Sequence, residues 1–392
     1  MAIAEGGTRK AGGHKANLKS EFQNPQSIDW PDADWLRRFR RRLRGWYRRH
    51  ARDLPWRSEP NLYHSWVSEI MLQQTQVATV EAYFRRFIAA FPTIAELAAA
   101  DEQAVLRQWE GLGYYRRARQ LHQAANQIVA EHGGAFPREI EQVVALPGVG
   151  RYTAGAILSI ADGQRHPILE ANTIRLYARL LRLEDDPAKA ESRQTLWRFA
   201  EEVLPRRDVG EFNQALMELG SLVCLPQQPK CLLCPVKQLC PTFAAGLQAE
   251  IPRPKAKKQF TRLEEVAVVV ERRGQVLLRR CANGERWAGL WDFPRFAHAA
   301  TNGQLQGRPS RRTIVESTRD LTGIEIELGE HLATIKHGVT RYRITLECFA
   351  AVPQAGECKR RTDGLRWVGI GQLDEYPLST TGRKLAKLVQ QW

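Results

Sequence analysis

The sequence predicts two domains of different class, an all-α domain followed by an α+β domain. From about residue 31 to 223, apolar residues recur every three or four positions, which is typical of amphipathic helices. From residue 263 onward the period changes to short runs rich in Val, Ile and Leu, which favour strands. Residues 246–262, with prolines and a lysine run, have the composition of a linker between the two patterns.

The chain has 392 residues, and its first 30 are polar and basic without an apolar signal segment. We expect residues 1–30 to form a disordered basic tail. No apolar run is long enough to cross a membrane, so we expect no membrane partner and a reducing, cytoplasmic location. The 58 Lys and Arg residues against 43 Asp and Glu give a net charge of +15, which is typical of nucleic-acid-binding proteins.

Basic residues cluster in segment 37–52, RRFRRRLRGWYRRHAR, where arginines alternate with aromatic and apolar residues at helical spacing. This cluster is either part of a surface for a polyanion or a solvated helix face.

The first domain, 31–245, contains several helical segments separated by Gly and Pro. The segments with the strongest helical period are 64–91, 93–109, 116–132 and 152–161. The breaks between helices fall at Pro92, Gly111–Gly113, Gly133–Gly134 and Pro147–Gly150.

Four of the seven cysteines close this domain, at the spacing C-x6-C-x2-C-x5-C over residues 224–240. Four thiolates so close in sequence can converge on one centre, an iron–sulfur cluster or zinc. Structural zinc sites usually pair two short knuckles, and only Cys231 and Cys234 form one, so the pattern favours a 4Fe–4S cluster. The four candidate ligands are Cys224, Cys231, Cys234 and Cys240. Disulfides are disfavoured, since nothing marks the chain as secreted.

The second domain, 263–392, is predicted from three β-rich segments and one helical segment. The strands are predicted over 264–280, as two runs around a short turn, and over 341–352 and 365–370. One helix is predicted between them, over 310–323.

The turn LPGVG (146–150) lies between two helical segments. Its glycines permit a tight turn whose backbone N–H groups point outward at the start of the next helix, where they can bind a phosphate without a side chain. The candidate phosphate-binding residues are Gly148, Val149 and Gly150.

A helical domain with this hairpin and a cysteine quartet behind it resembles the endonuclease III superfamily of helix–hairpin–helix DNA glycosylases. Within that superfamily the chain resembles the adenine DNA glycosylases of the MutY type, over nearly all of residues 53–380. The matching motifs are LPWR (54–57), SEIMLQQTQV (68–77), GLGYYRRARQLH (111–122), LPGVGRYTAGAI (146–157), FNQALMELG (212–220), the cysteines, and WAGLWDFP (287–294).

The resemblance implies a base-excision repair enzyme that is monomeric and acts on the bacterial chromosome. Its active site would lie between two helical subdomains, and its second domain would be Nudix-like. The implied partner is double-stranded DNA in which adenine is mispaired with 8-oxoguanine or guanine.

Two carboxylates are the candidates for N-glycosidic bond cleavage, which needs a proton for the leaving base and a negative group near the developing oxocarbenium ion. Glu69 lies in the apolar segment SWVSEIML, where burial would raise its pKa and keep it protonated; taken alone, it could also be a surface residue. The resemblance implies that Glu69 protonates adenine at N7. The family reads I-L-D-G-N where this chain has Glu170, Ala171 and Asn172. We expect Glu170 to take the role of the family aspartate and Asn172 to orient a nearby carboxylate.

Tyr152 occupies the position at which endonuclease III-like enzymes carry a lysine that forms a Schiff base with the sugar. A phenol cannot form this intermediate. We therefore expect base removal without strand cleavage, whether or not Tyr152 is simply a packed aromatic.

Several further residues are predicted to contact DNA. Gln74 and Tyr114 are the predicted strand-invading side chains, because an amide replaces lost base hydrogen bonds and an aromatic ring fills the stack. Trp56 and Arg57 are expected to line the adenine pocket or to hold phosphate. Lys230 lies in the cysteine loop, which by resemblance faces the DNA backbone.

The predicted helix of the second domain offers only Glu316 and Asp320, fewer acids than a magnesium-dependent Nudix enzyme requires, so we expect a recognition domain. The family carries an F-S-H loop that contacts 8-oxoguanine. Here the nearest match is Ile335-Lys336-His337, so Lys336 and His337 are the candidate contacts to the oxidised base or to phosphate.

Two other functions stay open from the sequence. One is an endonuclease III-like pyrimidine glycosylase. The other is a catalytically impaired DNA-binding iron–sulfur protein, because Glu170 lengthens the family carboxylate by one methylene.

Overall fold

The computed structural model describes residues 30–58, 60–253, 260–298, 310–354 and 364–392. The predicted basic tail, apart from residue 30, and the middle of the predicted linker lie outside the described residues. In the part of the chain that is described, no helix combines the length and apolar character needed to span a membrane.

Residues 30–253 are helical, as the period of the sequence predicts. The helices are α1 (Ala33–His50), α2 (Pro55–Ser58), α3 (Leu62–Leu72), α4 (Val77–Ala90), α5 (Ile94–Ala99), α6 (Glu102–Trp109), α7 (Arg116–His132), α8 (Ile140–Ala145), α9 (Arg151–Ala161), α10 (Ala171–Leu180), α11 (Ala190–Val203), α12 (Val209–Leu222) and α13 (Pro241–Ala244). Two short 3₁₀ turns, Cys231–Leu233 and Lys237–Leu239, lie within the cysteine loop.

The helices form two hydrophobic cores. One is built by α2 to α9, around residues such as Trp66 and Trp109. The other is built by α1 and α10 to α12, around Tyr177 and Phe212. Helix α9 belongs to the first core and also packs on α12 of the second. Side chains at this junction therefore face a cleft between two subdomains.

The arginine cluster of α1 serves mainly to join α1 to α11 and α12. Arg40 donates to the carbonyl oxygens of Glu202 and Val203, at 2.6 and 2.9 Å. Arg44 and Arg48 pair with Glu211, at 2.9 and 2.6 Å. Because acceptors within the domain bind these three arginines, the face of α1 that carries them packs against the rest of the domain.

The second domain is a mixed sheet with two α-helices. Its strands are β1 (Thr261–Arg272), β2 (Gln275–Arg280), β3 (Trp291–Asp292), β4 (Arg295–His298), β5 (Ile326–Val339), β6 (Tyr342–Pro353) and β7 (Leu365–Gly369), and its helices are α14 (Arg311–Thr322) and α15 (Thr380–Val389). The main strand order is β3-β2-β1-β6-β5, with β4 on β1 and β7 on β2. Strands β1 and β6 are parallel, and the other pairs are antiparallel.

The predicted β1–β2 hairpin forms around Arg273 and Gly274, both with positive φ (54° and 73°), which matches the twist of a two-residue hairpin turn. Four elements of this domain were not predicted from the sequence, the short strands β3 and β4, strand β5 and helix α15. The predicted linker also contains structured residues at both ends. Ile251 packs in the second helical core, and β1 already begins at Thr261.

The two domains are in direct contact through α6. Arg383 of α15 donates two hydrogen bonds to Glu110, at 2.6 and 3.0 Å. Trp291 donates its indole N–H to Gln103 at 2.9 Å, and Leu290 is part of the first helical core. This contact leaves a second cleft between the domains.

Candidate active site

A cavity of about 170 Å³ lies between the two helical subdomains. It brings together six of the predicted site residues, which come from four separate stretches of the chain. They are Trp56, Arg57, Glu69, Tyr152, Glu170 and Asn172.

Glu69 is buried in α3 at the wall of this cavity. Burial, together with the nearby charge of Glu170, raises the pKa of its carboxyl to about 7, against the hydrogen bond from Tyr152 and the charge of Arg57, which lower it. A carboxyl with this pKa is substantially protonated at neutral pH, which suits a general acid.

Tyr152 donates its hydroxyl proton to Glu69 Oε2 at 2.8 Å. Its oxygen also lies 3.4 Å from the sulfur of Met217. Burial raises the pKa of Tyr152 well above its ordinary value, so the phenol stays protonated and donating. Because Oε2 accepts this bond, the acidic proton of Glu69 belongs on Oε1.

Glu170 is the N-cap of α10. Its two carboxylate oxygens accept from the backbone N–H groups of Asn172 and Thr173, at 2.8 and 2.9 Å, and Thr173 Oγ1 accepts from the N–H of Glu170. Aspartate is a far commoner N-cap than glutamate. The additional methylene is accommodated because the glutamate arm folds back onto the helix end. Ala171 is the first residue of α10, in a helical conformation that needs no glycine.

The charge state of Glu170 depends on opposing effects. Burial is the larger effect and holds the pKa of its carboxyl above the ordinary value, although the two backbone N–H groups and Arg175 lower it. The helix N-terminus also favours the anion.

Asn172 contacts the Glu170 carboxylate through its backbone and not through its side chain. The side-chain oxygen of Asn172 accepts from Arg175 Nη2 at 2.9 Å. Its predicted orienting role is therefore played here by the N–H group.

Glu218 is a fully buried cavity residue that the sequence reasoning missed. Burial alone would raise the pKa of its carboxyl, but the hydrogen bonds from Arg52 and the charge of Arg57 outweigh this effect and lower it. Arg57 also donates to the Arg52 carbonyl oxygen, so its guanidinium is held in the cavity wall. The signal was available, because Glu218 interrupts the apolar motif FNQALMELG just as Glu69 interrupts SWVSEIML.

The predicted hairpin is formed by α8, the turn at 147–150 and α9. Gly148 has φ of +79°, and an added Cβ would lie 3.0 Å from the Cβ of Gln120. The N–H of Val149 donates to Leu146 within the turn, and the Val149 side chain is buried. Gly150 is the N-cap of α9 without a side-chain cap, so the outward N–H groups are those of the first turn of α9.

Gln74 and Tyr114 line the second cleft, a cavity of about 770 Å³ between the two domains. Both have left-handed backbones, with φ of 59° and 49°, and the Tyr114 side chain is exposed. The opposite wall carries Arg286, Trp287 and Tyr342 of the second domain.

Lys336 and His337 lie within strand β5 and not in a loop. They line a neighbouring groove together with Arg262 and Arg343. Burial and the charge of Arg295 lower the pKa of His337 to about 4, so its ring is neutral at physiological pH.

The four cysteines of the quartet line one small, apolar cavity. Arg179 donates to Cys224 Sγ at 3.2 Å. Among the described residues, no three His, Cys, Asp or Glu side chains are gathered as the ligands of a metal ion. Lys230 is exposed on the same loop.

Comparison with known proteins identifies the two domains. Residues 67–202 match the HhH-GPD superfamily of base excision DNA repair proteins, and residues 265–388 match the NUDIX domain. The two predicted fold classes are thereby confirmed. A structure of a thermostable thymine-DNA glycosylase is 25% identical, with a TM-score of 0.50, and covers 54% of this chain and 98% of that chain.

The sequence is also similar to curated proteins over most of its length. Adenine DNA glycosylase of Rattus norvegicus is 32% identical over 406 residues, which cover 90% of this chain and 78% of the rat protein. Adenine DNA glycosylase of Buchnera aphidicola subsp. Schizaphis graminum is 36% identical over 259 residues, which cover 66% of this chain and 75% of that protein. The chain therefore belongs to the adenine DNA glycosylases, DNA-binding enzymes of base excision repair.

Proposed function

We propose that this enzyme excises adenine mispaired with 8-oxoguanine or guanine, and that it leaves the DNA strand intact. The observation that carries this proposal is the cavity in which Tyr152 holds a buried, protonatable Glu69 beside the Glu170 carboxylate.

Glu69 acts as the general acid. The adenine must leave the duplex to reach the cavity. As the C1′–N9 bond breaks, its electron pair goes to the base and the Glu69 proton goes to adenine N7. Water then adds to the oxocarbenium carbon and releases a proton. The products are free adenine and an abasic site.

Glu170 stabilises the positive charge that develops on the sugar. Its carboxylate is fixed by two backbone N–H groups at the start of α10, so it needs little reorganisation as the charge forms. Asn172 contributes one of these groups.

Tyr152 positions Glu69 and supplies no amine. Among the cavity-lining residues that the structure describes, none is a lysine. A Schiff base with the sugar therefore has no nucleophile at this position, which supports the monofunctional reaction over the pyrimidine-glycosylase alternative.

The DNA contacts follow from the two clefts. The first turn of α9, after Gly148 and Gly150, binds a phosphate of the adenine strand. Gln74 and Tyr114 enter the duplex from the interdomain cleft, whose second wall belongs to the Nudix-like domain. Lys336 and His337, in the adjoining groove, contact the opposite strand.

The four cysteines fit a 4Fe–4S cluster, because all four thiols line one cavity and Arg179 donates to one of them. When bound, a cluster ties the four thiolates together and so fixes the shape of the loop. Cys224 is anchored at the end of α12, and Lys230 lies on the exposed part of the loop, where it can meet a phosphate.

The product of the reaction tests this proposal. Duplexes carrying A·8-oxoguanine, A·G, T·G or an oxidised pyrimidine are incubated with the enzyme and analysed with and without alkali. We expect adenine loss that becomes a strand break only after alkali. Strand cleavage without alkali would instead support the lyase alternative, and binding without product would support the impaired protein.

A further inference from the structure

Arg117 of α7 is a buried arginine that lies outside the cavity of Glu69. Its Nη1 donates to the carbonyl oxygens of Ile70 and Met71, both at 2.9 Å, and to that of Gln73. These are the carbonyls at the end of α3, the helix that carries Glu69. A guanidinium is well suited to this place, because the last carbonyls of a helix lack intrahelical donors and carry partial negative charge.

The same guanidinium also holds two loops. Nη2 of Arg117 donates to Thr75 Oγ1 at 3.1 Å and to the Gly113 carbonyl oxygen at 3.3 Å. The guanidinium carbon lies 5.3 Å from the centroid of the Tyr114 ring, in cation–π contact. One side chain therefore joins the end of α3 to both loops of the interdomain cleft.

Each of these loops contains a strained residue. Gln74, with φ of 59°, lies between two residues that Arg117 binds, and Tyr114, with φ of 49°, follows Gly113. A left-handed backbone is unfavourable for side chains of this kind and persists when neighbouring contacts fix it.

We propose that Arg117 is a positioning residue that holds Gln74 and Tyr114 ready to enter the duplex and aligns them with the helix of Glu69. This inference rests on the proposed function, in which the two side chains enter the duplex from the interdomain cleft. It adds a buried residue that lies outside the cavity of Glu69 and acts through the two loops.

Lysine cannot replace Arg117 in this role. The guanidinium is a planar fork that serves several acceptors at once, whereas an ammonium is a single point charge on a flexible arm. Arg117→Lys therefore keeps the charge at the end of α3 and loses the connection between the loops.

The test compares two substrates in single-turnover excision at saturating enzyme. One carries adenine opposite guanine, which requires strand invasion. The other carries adenine opposite an abasic site, where no opposing base has to be separated. We expect R117K to be slower by about 100-fold on the first substrate, the scale of a misplacement of about 1 Å, and by less than about fivefold on the second. A 2-aminopurine probe next to the adenine should show a matching loss of base extrusion.

Thr75→Val is a milder second variant, because it removes only one contact of Arg117. It should show the same substrate dependence with a smaller loss. Arg86→Lys is the matched control, since Arg86 binds the Gln108 carbonyl and stacks on Tyr83 away from the interdomain cleft. Its rates should equal those of the wild type on both substrates.

Equal losses on both substrates, or no loss in R117K and T75V, would overturn the role of Arg117. Failure of the proposed function looks different, because the wild-type enzyme would then release no adenine from the A·G duplex.

Discussion

At the scale of single residues, two carboxyl groups in one cavity have different surroundings. The buried carboxyl of Glu69 accepts one hydrogen bond, from the Tyr152 phenol. Glu170 has both oxygens on backbone N–H groups at a helix start. The first environment favours the neutral acid and the second provides fixed donors for an anion. This difference supports the proposed roles of Glu69 as the acid and Glu170 as the charge stabiliser.

The pH dependence of excision follows from Glu69. Because its pKa is about 7 and the protonated form is the proposed acid, the single-turnover rate should fall as the pH rises through about 7. At the acidic end it should fall again as the Glu170 carboxylate, whose pKa burial raises, becomes protonated. Tyr152→Phe removes the hydrogen bond that lowers this pKa. The descending limb should therefore move to higher pH in Y152F. A limb that moves to lower pH would contradict the proposed contact.

Glu170 should tolerate a shorter acid better than loss of charge. We expect Glu170→Asp to stay within about tenfold of the wild-type rate, since aspartate is a good N-cap. Glu170→Gln should lower the single-turnover rate by roughly 100-fold, as expected when an electrostatic stabiliser is removed. Circular dichroism checks that α10 is preserved in both. A Gln variant as fast as the wild type would remove Glu170 from the mechanism.

At the scale of elements, three helices bring the proposed catalytic residues to one cavity. Helix α3 carries Glu69, α9 carries Tyr152 in its first turn, and α10 begins immediately after Glu170. The same start of α9 presents N–H groups outward. The proposed phosphate site and the residue proposed to position the acid therefore share one helix.

The cysteine loop is the element that the proposed cluster should stabilise. Cys234→Ser is expected to lower the iron content and to weaken binding to duplex DNA, because the loop that carries Lys230 loses its fixed shape. Iron analysis and a binding titration measure the two effects. Lys230→Gln is the matched variant, with weaker binding at full iron content. Wild-type protein that is purified anaerobically and contains only zinc would contradict the cluster.

Much of the fold could be predicted, because the spacing of apolar residues along the sequence determines where helices and strands form. The helical segments and the β1–β2 hairpin are specified by residues close in sequence. Strand β5 was missed because its pairing with β6 alternates polar and half-buried residues over a long stretch, with shifts in register near His331. Lys336 and His337 were consequently expected in a loop.

The site was predictable where an acid interrupts an apolar helix or a family motif is kept, as for Glu69 and Tyr152. The hydrogen-bond partners of these residues could not be predicted, because the bond between Glu69 and Tyr152 joins positions 83 apart in sequence. Arg117 escaped notice for the same reason, whereas Glu218 was overlooked although it interrupts an apolar motif as Glu69 does. Their partners come from distant segments that only the folded chain brings together.

At the scale of the whole molecule, the contact between α6 and the second domain sets the width of the interdomain cleft. Glu110 and Arg383 are both largely buried, with side-chain exposures of 7% and 14%. Each side chain also forms hydrogen bonds with backbone groups. Glu110, for example, accepts from the N–H of Leu378 in the second domain. The glycosylase domain therefore holds in place the wall of the cleft that the second domain provides.

Removing one member of the Glu110–Arg383 pair should destabilise the protein. Glu110→Leu or Arg383→Met alone removes the buried partner of the other charge, which keeps only its more exposed partner, Asp374 for Arg383 and Arg107 for Glu110. We expect each variant to lower the free energy of unfolding by about 2 kcal/mol. The double variant should recover much of this loss, because neither charge remains. Urea unfolding of the four proteins provides the cycle. Additive losses in the double variant would show that the two side chains do not act as a pair.

Excision by Glu69→Gln under single-turnover conditions tests the central claim most directly. The glutamine preserves the size of the side chain and an acceptor for Tyr152 but has no acidic proton. We predict unchanged binding to an A·8-oxoguanine duplex and a rate of adenine release lower by at least about 100-fold at pH 7. Adenine release at the wild-type rate by a properly folded E69Q protein would contradict the account.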